Sequence, residues 1–462
     1  MKFKTILLGT AALALMAAPA VAQDATKTDA PKKHHHHVMH ADHVAGPSSI
    51  DARIDELEHE IQELKAAQAA PPPPPVDAVS QAQFEALQNQ VYEEQASTQS
   101  LTKSSWWAKT SISGRMYFDL TNINNKNDGV DNSQNGTHFD VKRFYVSIDH
   151  KFDDVWSADV TTDFTYDTSQ CDGVTAGPPA KCSSTGASAS QVYIKKAYLQ
   201  GKFDDLAILR LGSFDMPWIP FAEDQYGYRY IENTLVDRFK YGNSADWGAS
   251  LSGSTGSDLK FEYSLAAVNG AGYKKPGFGL GTNRSKGMDF EGRVDVKYDG
   301  FVVGVGGYDG KLGKEMTPNT TVHSFTRFDA LAAYVANGWH VGVEYFSDHN
   351  FNNITTAGKT DSGDGWSGFA AYQFAPQWAL FGRYDYAKPT KGTDKGQPDY
   401  TNKYYNVGIE WTPVSIVNLA LVYKHDGGSD GSFADQDGTI GGTSATTSGH
   451  YDEVGLFGQL RW

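Results

Sequence analysis

The stretch Ile112-Ser113-Gly114-Arg115-Met116-Tyr117-Phe118-Asp119-Leu120 decides the fold. Its even-numbered positions are apolar or small and its odd-numbered positions are polar or carry charge, and side chains of a strand alternate between two faces. One face therefore faces an apolar medium and the other faces water. The same period of two recurs where Phe144, Val146 and Ile148 alternate with Arg143, Tyr145, Ser147 and Asp149. It recurs again where Trp156, Ala158, Val160 and Phe164 alternate with Ser157, Asp159, Thr161 and Asp163. Working outward, thirteen further strands are read near 192–203, 206–214, 246–253, 259–268, 287–298, 301–309, 324–336, 338–347, 365–374, 377–386, 403–412, 416–425 and 451–462. That makes sixteen in all.

The connections separate a soluble sandwich from a membrane barrel. Long polar connections (122–137, 167–190, 215–245, 269–286, 310–323, 348–364, 387–402, 426–450) alternate with short ones such as Asp204-Asp205, Asp299-Gly300, Asn337-Gly338 and Ala375-Pro376. One end with long loops and one with tight turns, joined by an even number of strands, is the pattern of an outer-membrane barrel. The expected class is all-β, a 16-stranded antiparallel transmembrane β-barrel over 106–462 with an N-terminal periplasmic coiled-coil helix. The 24 Tyr, 24 Phe and 10 Trp fit that class, because aromatic girdles mark both lipid interfaces. Trp156, Trp339, Trp378, Tyr405, Trp411 and Tyr423 sit near the ends of apolar faces, and the last strand closes on Trp462.

Ahead of the barrel, residues 1–22 read as a secretory signal. Lys2 and Lys4 precede an apolar core, and Ala20-Val21-Ala22 forms a small-residue cleavage site. Residues 23–47 form a polar His-rich tether in which His34, His35, His36 and His37 are a weak metal-ligand candidate, with a solvated tether or an expression tag as the alternative. Over 48–70, Ile50, Ile54, Leu57, Ile61 and Leu64 recur at spacings of four and three, the seam of a coiled coil. So short a helix gains stability only by association, which points to copies of itself in an oligomer held together elsewhere, with packing against its own chain as the alternative. Pro71 to Pro75 opens a spacer over 71–105 that contains a second helical stretch with Phe84, Leu87 and Val91. The formal net charge of -15 argues against a nucleic-acid partner.

Sixteen strands enclose a water-filled channel, so the expected function is passive diffusion of small hydrophilic solutes, including anions such as phosphate. Pore-lining or solute-binding candidates are Arg115, Arg143 (or its neighbour Lys142), Lys196, Arg210, Arg293 and Arg383 on strands, and Arg229, Arg238 and Lys240 on the connection 215–245. Acidic residues, among them Asp119, Asp159, Asp163, Glu291, Glu344 and Glu410, share the inward face, so both anion and cation selectivity stay open. The connection 215–245 carries Trp218, Phe221, Tyr226, Tyr228, Tyr230, Leu235, Phe239 and Tyr241. An exposed loop of that composition would be costly in water, so it is expected to fold into the barrel, with packing on a neighbouring subunit as the alternative. Cys171 and Cys182 share one outer loop and are expected to form a disulfide. The expected partners are outer-membrane lipid, copies of the chain and small solutes, with peptidoglycan as a contact for the periplasmic segment. Neither a cofactor nor enzymatic activity is expected, and no H-E-x-x-H occurs.

Four stretches resemble the phosphate-selective porin O/P family of Gram-negative outer membranes: 141–148 (VKRFYVSI), 194–201 (IKKAYLQG), 209–217 (LRLGSFDMP) and Tyr230-Ile231-Glu232-Asn233. The likeness extends over 106–462 and implies a homotrimeric sixteen-stranded porin. Members named for phosphate carry an arginine ladder and a lysine cluster at the constriction. Here the segment 215–245 has Arg229, Arg238 and Lys240 against five acids.

Overall fold

The computed structural model describes residues 47–69, 86–95, 106–132, 135–166, 190–274, 286–315, 323–391, 399–435, 438–441 and 448–462. The expected signal over 1–22, His34 to His37, the Pro71 to Pro75 run and Cys171 and Cys182 with their expected disulfide lie outside these residues.

Sixteen long antiparallel strands form the barrel: β1 Thr110–Asn127, β2 Gly136–Lys151, β3 Trp156–Tyr166, β4 Ser190–Lys202, β5 Ile208–Asp215, β6 Ala245–Thr255, β7 Lys260–Val268 and β8 Asp289–Tyr298 make one half. The other half is β9 Phe301–Gly310, β10 Phe325–Ala336, β11 Trp339–His349, β12 Ser362–Ala375, β13 Trp378–Thr390, β14 Tyr400–Val414, β15 Val417–Ser429 and β16 Ser448–Arg461. Each strand pairs with its sequence neighbours, and β1 closes the ring on β16 from Arg115↔Arg461 to Asn127↔Gly449. A two-residue strand, Val130–Asp131, and a small hairpin, Ser432–Asp435 with Gly438–Gly441, decorate the long-loop end.

Alternation explains both surfaces. Ile112, Leu120, Phe139, Val160, Phe261, Val303, Trp339, Leu380 and Leu456 stand on the outside of the wall, exposed, while Tyr117, Asp119, Asp163, Glu344, Arg383 and Lys424 are buried inside. An apolar outer band around a polar interior is stable only with hydrocarbon outside and water inside. No helix among the described residues is long and apolar enough to cross a membrane.

The short turns follow from local chemistry. Asp299-Gly300 and Asn337-Gly338 have φ of 47° and 81°, and 54° and 79°, the double positive φ of a type I′ hairpin. Replacing Gly338 with Val forces a branched residue into the left-handed region, which costs about 1–2 kcal/mol. Urea unfolding in lipid vesicles should register that loss, and an unchanged midpoint would remove the turn's role.

Strands are longer than the alternation alone suggests. β1 runs to Asn127 and β2 starts at Gly136, because the polar ends of these strands continue the hydrogen-bond ladder beyond the lipid band. In the N-terminal unit, α1 (Pro47–Ala69) is helical as the heptad seam predicts, with Ile54, Leu57 and Ile61 about half exposed along it. A second helical run, α2, covers 86–95.

Candidate functional site

The connection between β5 and β6 enters the barrel. It forms α3 (Ile219–Tyr226), with Pro220 in its first turn and the left-handed Gly227 as its cap, then α4 (Leu235–Arg238). Its bulky residues make the main apolar core: Trp218, Ile219, Leu235, Val236 and Phe239 are at most 1% exposed and pack with Phe325, Leu331 and Phe346 of the wall. A second cluster joins Tyr226, Tyr228, Tyr230 and Ile231 to Phe369, Phe381, Val422 and Phe457. Tyr228 stacks on Phe381 at 4.3 Å. These contacts explain why so apolar a connection is stable in a wet channel.

Ionic anchors fix the segment to one side of the wall. The Glu291 carboxylate accepts from Trp218 N at 2.7 Å, and Glu344 accepts from Trp218 Nε1 at 3.0 Å and Leu235 N at 3.2 Å. Arg238 donates to Asp426 at 2.7 Å and Asn402 at 2.6 Å, and lies 3.3 Å from Asp385. Arg383 donates to Asp385 at 2.7 Å and to the Asn233 carbonyl at 2.6 Å. Lys424 bridges Glu232 at 3.3 Å and Glu453 at 2.6 Å. Burial pushes the Glu232 carboxyl up, but the charges of Lys424, Lys142, Arg238 and Arg383 outweigh it and hold the group below the usual carboxylate range.

The wall groups that meet the segment in these anchors lie on β8 to β15, with Glu453 of β16 behind Lys424. One cleft of about 330 Å³ opens on this side, between Tyr228 and the wall at His340, Trp378 and Glu410; the basic side chains gather on the other side. Two adjoining clefts lie there. The first, of about 330 Å³, is lined by Ser113, Arg115, Tyr117, Tyr145, Ser147, Thr161, Lys195 and Lys196 on β1 to β4, facing Asp215, Glu223, Asp224 and Arg229. The second is lined by Arg210, Ser252, Glu262, Ser264, Arg293 and Lys297 and shares Asp215, Pro220 and Asp224 with the first.

Seven basic and four acidic side chains line the two clefts, and most cancel. Lys196 pairs with Asp215 at 3.1 Å, Arg229 with Glu223 at 2.6 Å, Lys297 with Glu262 at 2.8 Å and Arg293 with Asp295 at 3.0 Å. Three cations have no carboxylate pair among the described residues. Arg115 donates to Tyr117 Oη at 3.1 Å, Lys195 lies 4.6 Å over the Tyr145 ring, and Arg210 donates to Gln200 at 2.8 Å beside Tyr198. Against them stands Asp224, exposed and also without an ion pair among these residues.

The predicted site residues therefore divide. Arg115, Lys196, Arg210, Arg229 and Arg293 line the clefts. Arg143 is turned to Asp163 at 3.1 Å, and Lys240 is exposed at the end of the inserted segment. Arg238 and Arg383 correct the expectation that they meet solute. They are 0% and 4% exposed and hold the segment to the wall, because the segment covers the acids that attract them.

Lys195 was missed, and Lys142 was counted only as an alternative to Arg143, for one shared reason. The β1–β2 register slips between Tyr117↔Arg143 and Phe118↔Val141, leaving Lys142 extra. The β3–β4 register slips between Thr161↔Lys196 and Thr162↔Ile194, leaving Lys195 extra. A bulge sets two residues against one, so strict alternation fails there. Lys142 reaches Asp119 at 3.4 Å while Arg143 reaches Asp163, both inside.

One sequence pattern associated with serine hydrolases falls within the barrel. The spacing G-x-S-x-G occurs at Gly427 to Gly431, but it sits where β15 ends rather than on a strand-to-helix elbow. There Ser429 Oγ donates to the neighbouring Asp430 at 3.0 Å, and no histidine hydrogen-bonds it among the described residues.

No family model and no curated protein matches the chain. Solved structures do. An anion-selective porin from Comamonas acidovorans superposes with a TM-score of 0.52 at 10% identity, covering 76% of this chain and 99% of that one. OmpT, an outer membrane protein of Vibrio cholerae, gives 0.48 at 13% identity over 76% and 97%. The outer membrane channel DcaP of Acinetobacter baumannii gives 0.42 at 10% over 75% and 96%. At such identities, what the Comamonas porin has in common with this chain is its barrel fold.

Proposed function

We propose that the protein is an outer-membrane porin, a passive water-filled channel for small hydrophilic solutes that favours anions. The observation that carries the preference is the imbalance of unpaired charge in the clefts: Arg115, Lys195 and Arg210 against Asp224. Paired charges largely cancel at the distance of a passing ion, whereas unpaired ones set its potential. Phosphate is one anion this wall would accept, and the paired state of Arg229, Arg238 and Arg383 argues against a dedicated phosphate cage.

Assembly belongs to the same reading. The half-exposed seam of α1 suits a trimeric coiled coil on the periplasmic side, and Cys171–Cys182 suits a disulfide that shortens an outer loop. Chemical crosslinking of the full chain against one lacking 47–70 tests the first; an unchanged oligomer distribution would remove the helix from assembly.

Planar-bilayer recording of purified protein tests the channel itself. Discrete ohmic steps are expected, and deletion of 222–234 should enlarge each step by opening the side of the lumen that α3 occupies. A silent bilayer would overturn the channel, and unchanged steps would overturn the constriction.

A further inference from the structure

The outer wall holds a recess of about 470 Å³ on β7 to β9, next to the short turns. Its floor is four valines that alternation turns outward in directly paired positions, Val296↔Val303 and Val294↔Val305. Phe261 and Tyr263 of β7, paired with Val296 and Val294, stand along one side with Leu206 of the β4–β5 turn. Tyr263 Oη donates to the Leu206 carbonyl at 2.5 Å, which fixes that side. One register further up, Gly292 pairs with Gly307, so the floor stays low until the exposed rings of Phe290 and Phe328. Glu262 and Asp295 also border the recess, but their carboxylates turn inward to Lys297 at 2.8 Å and Arg293 at 3.0 Å. The lining that faces out is therefore apolar.

Position and charge identify what fills it. From Val296 to Gly292 is four residue steps, roughly 13 Å along a strand, and one leaflet contributes about 15 Å to a hydrocarbon core about 30 Å thick. The recess thus has the depth of a single leaflet, on the short-turn side. In hydrocarbon no hydrophobic effect drives a second protein surface into it. Contact alone decides, and an unfilled hollow forfeits dispersion contacts that a flexible chain recovers without needing a matching ridge. The turns beside the recess carry Asp204, Asp205, Asp258 and Asp299, all exposed. Asp205 is paired with Lys202 at 2.8 Å, and the nearby Lys260 and Lys297 are taken by Glu262 at 2.7 and 2.8 Å. Asp258 and Asp299 have no cation partner among the described residues. Such a rim repels an anionic head group and attracts an ammonium.

We propose that this recess holds an acyl chain of one phospholipid from the short-turn leaflet, with an ethanolamine-type head group whose ammonium meets the acidic turns. The lumen side of the same strand shows what the lipid supports. Gly304 and Gly306 of β9 alternate with Val303 and Val305, and a β-carbon on either would lie 2.7 Å from the Phe221 or the Trp218 ring. The inserted segment therefore stands on bare β9 backbone, and the lipid braces that backbone from behind. The assignment rests on the barrel lying in a bilayer and is independent of what the channel conducts.

The test uses the full chain, purified and delipidated in mild detergent, then mixed with phosphatidylethanolamine or with phosphatidylglycerol of the same chains. Native mass spectrometry should show one ethanolamine lipid retained per chain, and the glycerol lipid retained roughly threefold less at low salt. Val305→Trp fills the recess with an apolar side chain on the lipid face, so it should fold, keep its channel steps and lose the lipid. Leu380→Trp, equally exposed on β13, should keep the lipid. Val303→Trp should act as Val305→Trp does, a readout that stands if Val305→Trp fails to fold. Asp258→Asn combined with Asp299→Asn should level the two lipids, and asparagine suits the positive φ at position 299. No retained lipid, or equal retention in the β9 and β13 variants, would overturn the site. Equal retention of both head groups by the unmodified protein would overturn the ethanolamine assignment. A shifted oligomer distribution in Val305→Trp with its lipid intact would put a second copy of the chain in the recess instead. The lipid count is read without conductance, so a silent bilayer does not decide it.

Discussion

Replacing Arg115, Lys195 and Arg210 together with glutamine reverses the ion preference of the channel. Each fixed charge at about 6 Å through water shifts the free energy of a passing ion by about 0.7 kcal/mol, a factor of about three. Three unpaired cations against Asp224 leave a net excess near two charges, so anions are enriched by roughly tenfold at low salt. The triple variant leaves Asp224 alone, and the sign changes. Raising the salt should shrink both effects, because the screening length at 0.1 M is only about 10 Å. Singly neutralising the paired Lys196 is a poorer probe, since it releases Asp215, 3.1 Å away, as a new anion. Single-channel reversal potentials across the series check the point. An unchanged sign in the triple variant would mean that the three side chains do not set the field.

Arg238→Ala loosens the inserted segment. The guanidinium is 0% exposed and is shared by Asp426, Asp385 and Asn402. Arg383 still serves Asp385 at 2.7 Å, so Asp426 is the group that loses its cation. Removing one partner from a buried ion pair costs about 3–5 kcal/mol, because the other charge stays buried. Trp218, Lys424 and Arg383 still hold the rest of the segment, so the barrel should fold. The expected result is a lower unfolding temperature with channel steps that flicker between two levels. Arg238→Lys keeps the charge but loses the fork geometry that reaches two acids and an amide, so partial rescue is expected. Quiet steps of ordinary size in Arg238→Ala would show that the segment is held by its apolar contacts alone.

Much of this architecture is legible in the sequence, because it rests on local rules. Alternation such as Ile112 to Leu120 reports a wall between two media, and pairs such as Asn337-Gly338 report where the wall turns. The apolar content of 215–245 reports a segment that needs cover, and Trp218 and Phe239 find that cover inside the barrel. The site was less legible for two physical reasons. Charge type reads directly from the sequence but pairing does not: Arg238 meets Asp426, 188 residues away, and becomes an anchor instead of a ligand. Bulges break the period of two, so alternation offers Lys142 only as an alternative to Arg143 and gives no inward place to Lys195. A doubled basic pair in an alternating strand, Lys142-Arg143 or Lys195-Lys196, is the signal that could have marked both.

The most direct test of the account is the zero-current potential of the purified, unmodified protein in a planar bilayer across a potassium chloride gradient. The unpaired cations of the open wall predict a potential of the sign set by chloride permeation, diminishing as salt is raised. A potential of the sign set by potassium would contradict the account, and so would none at all at low salt.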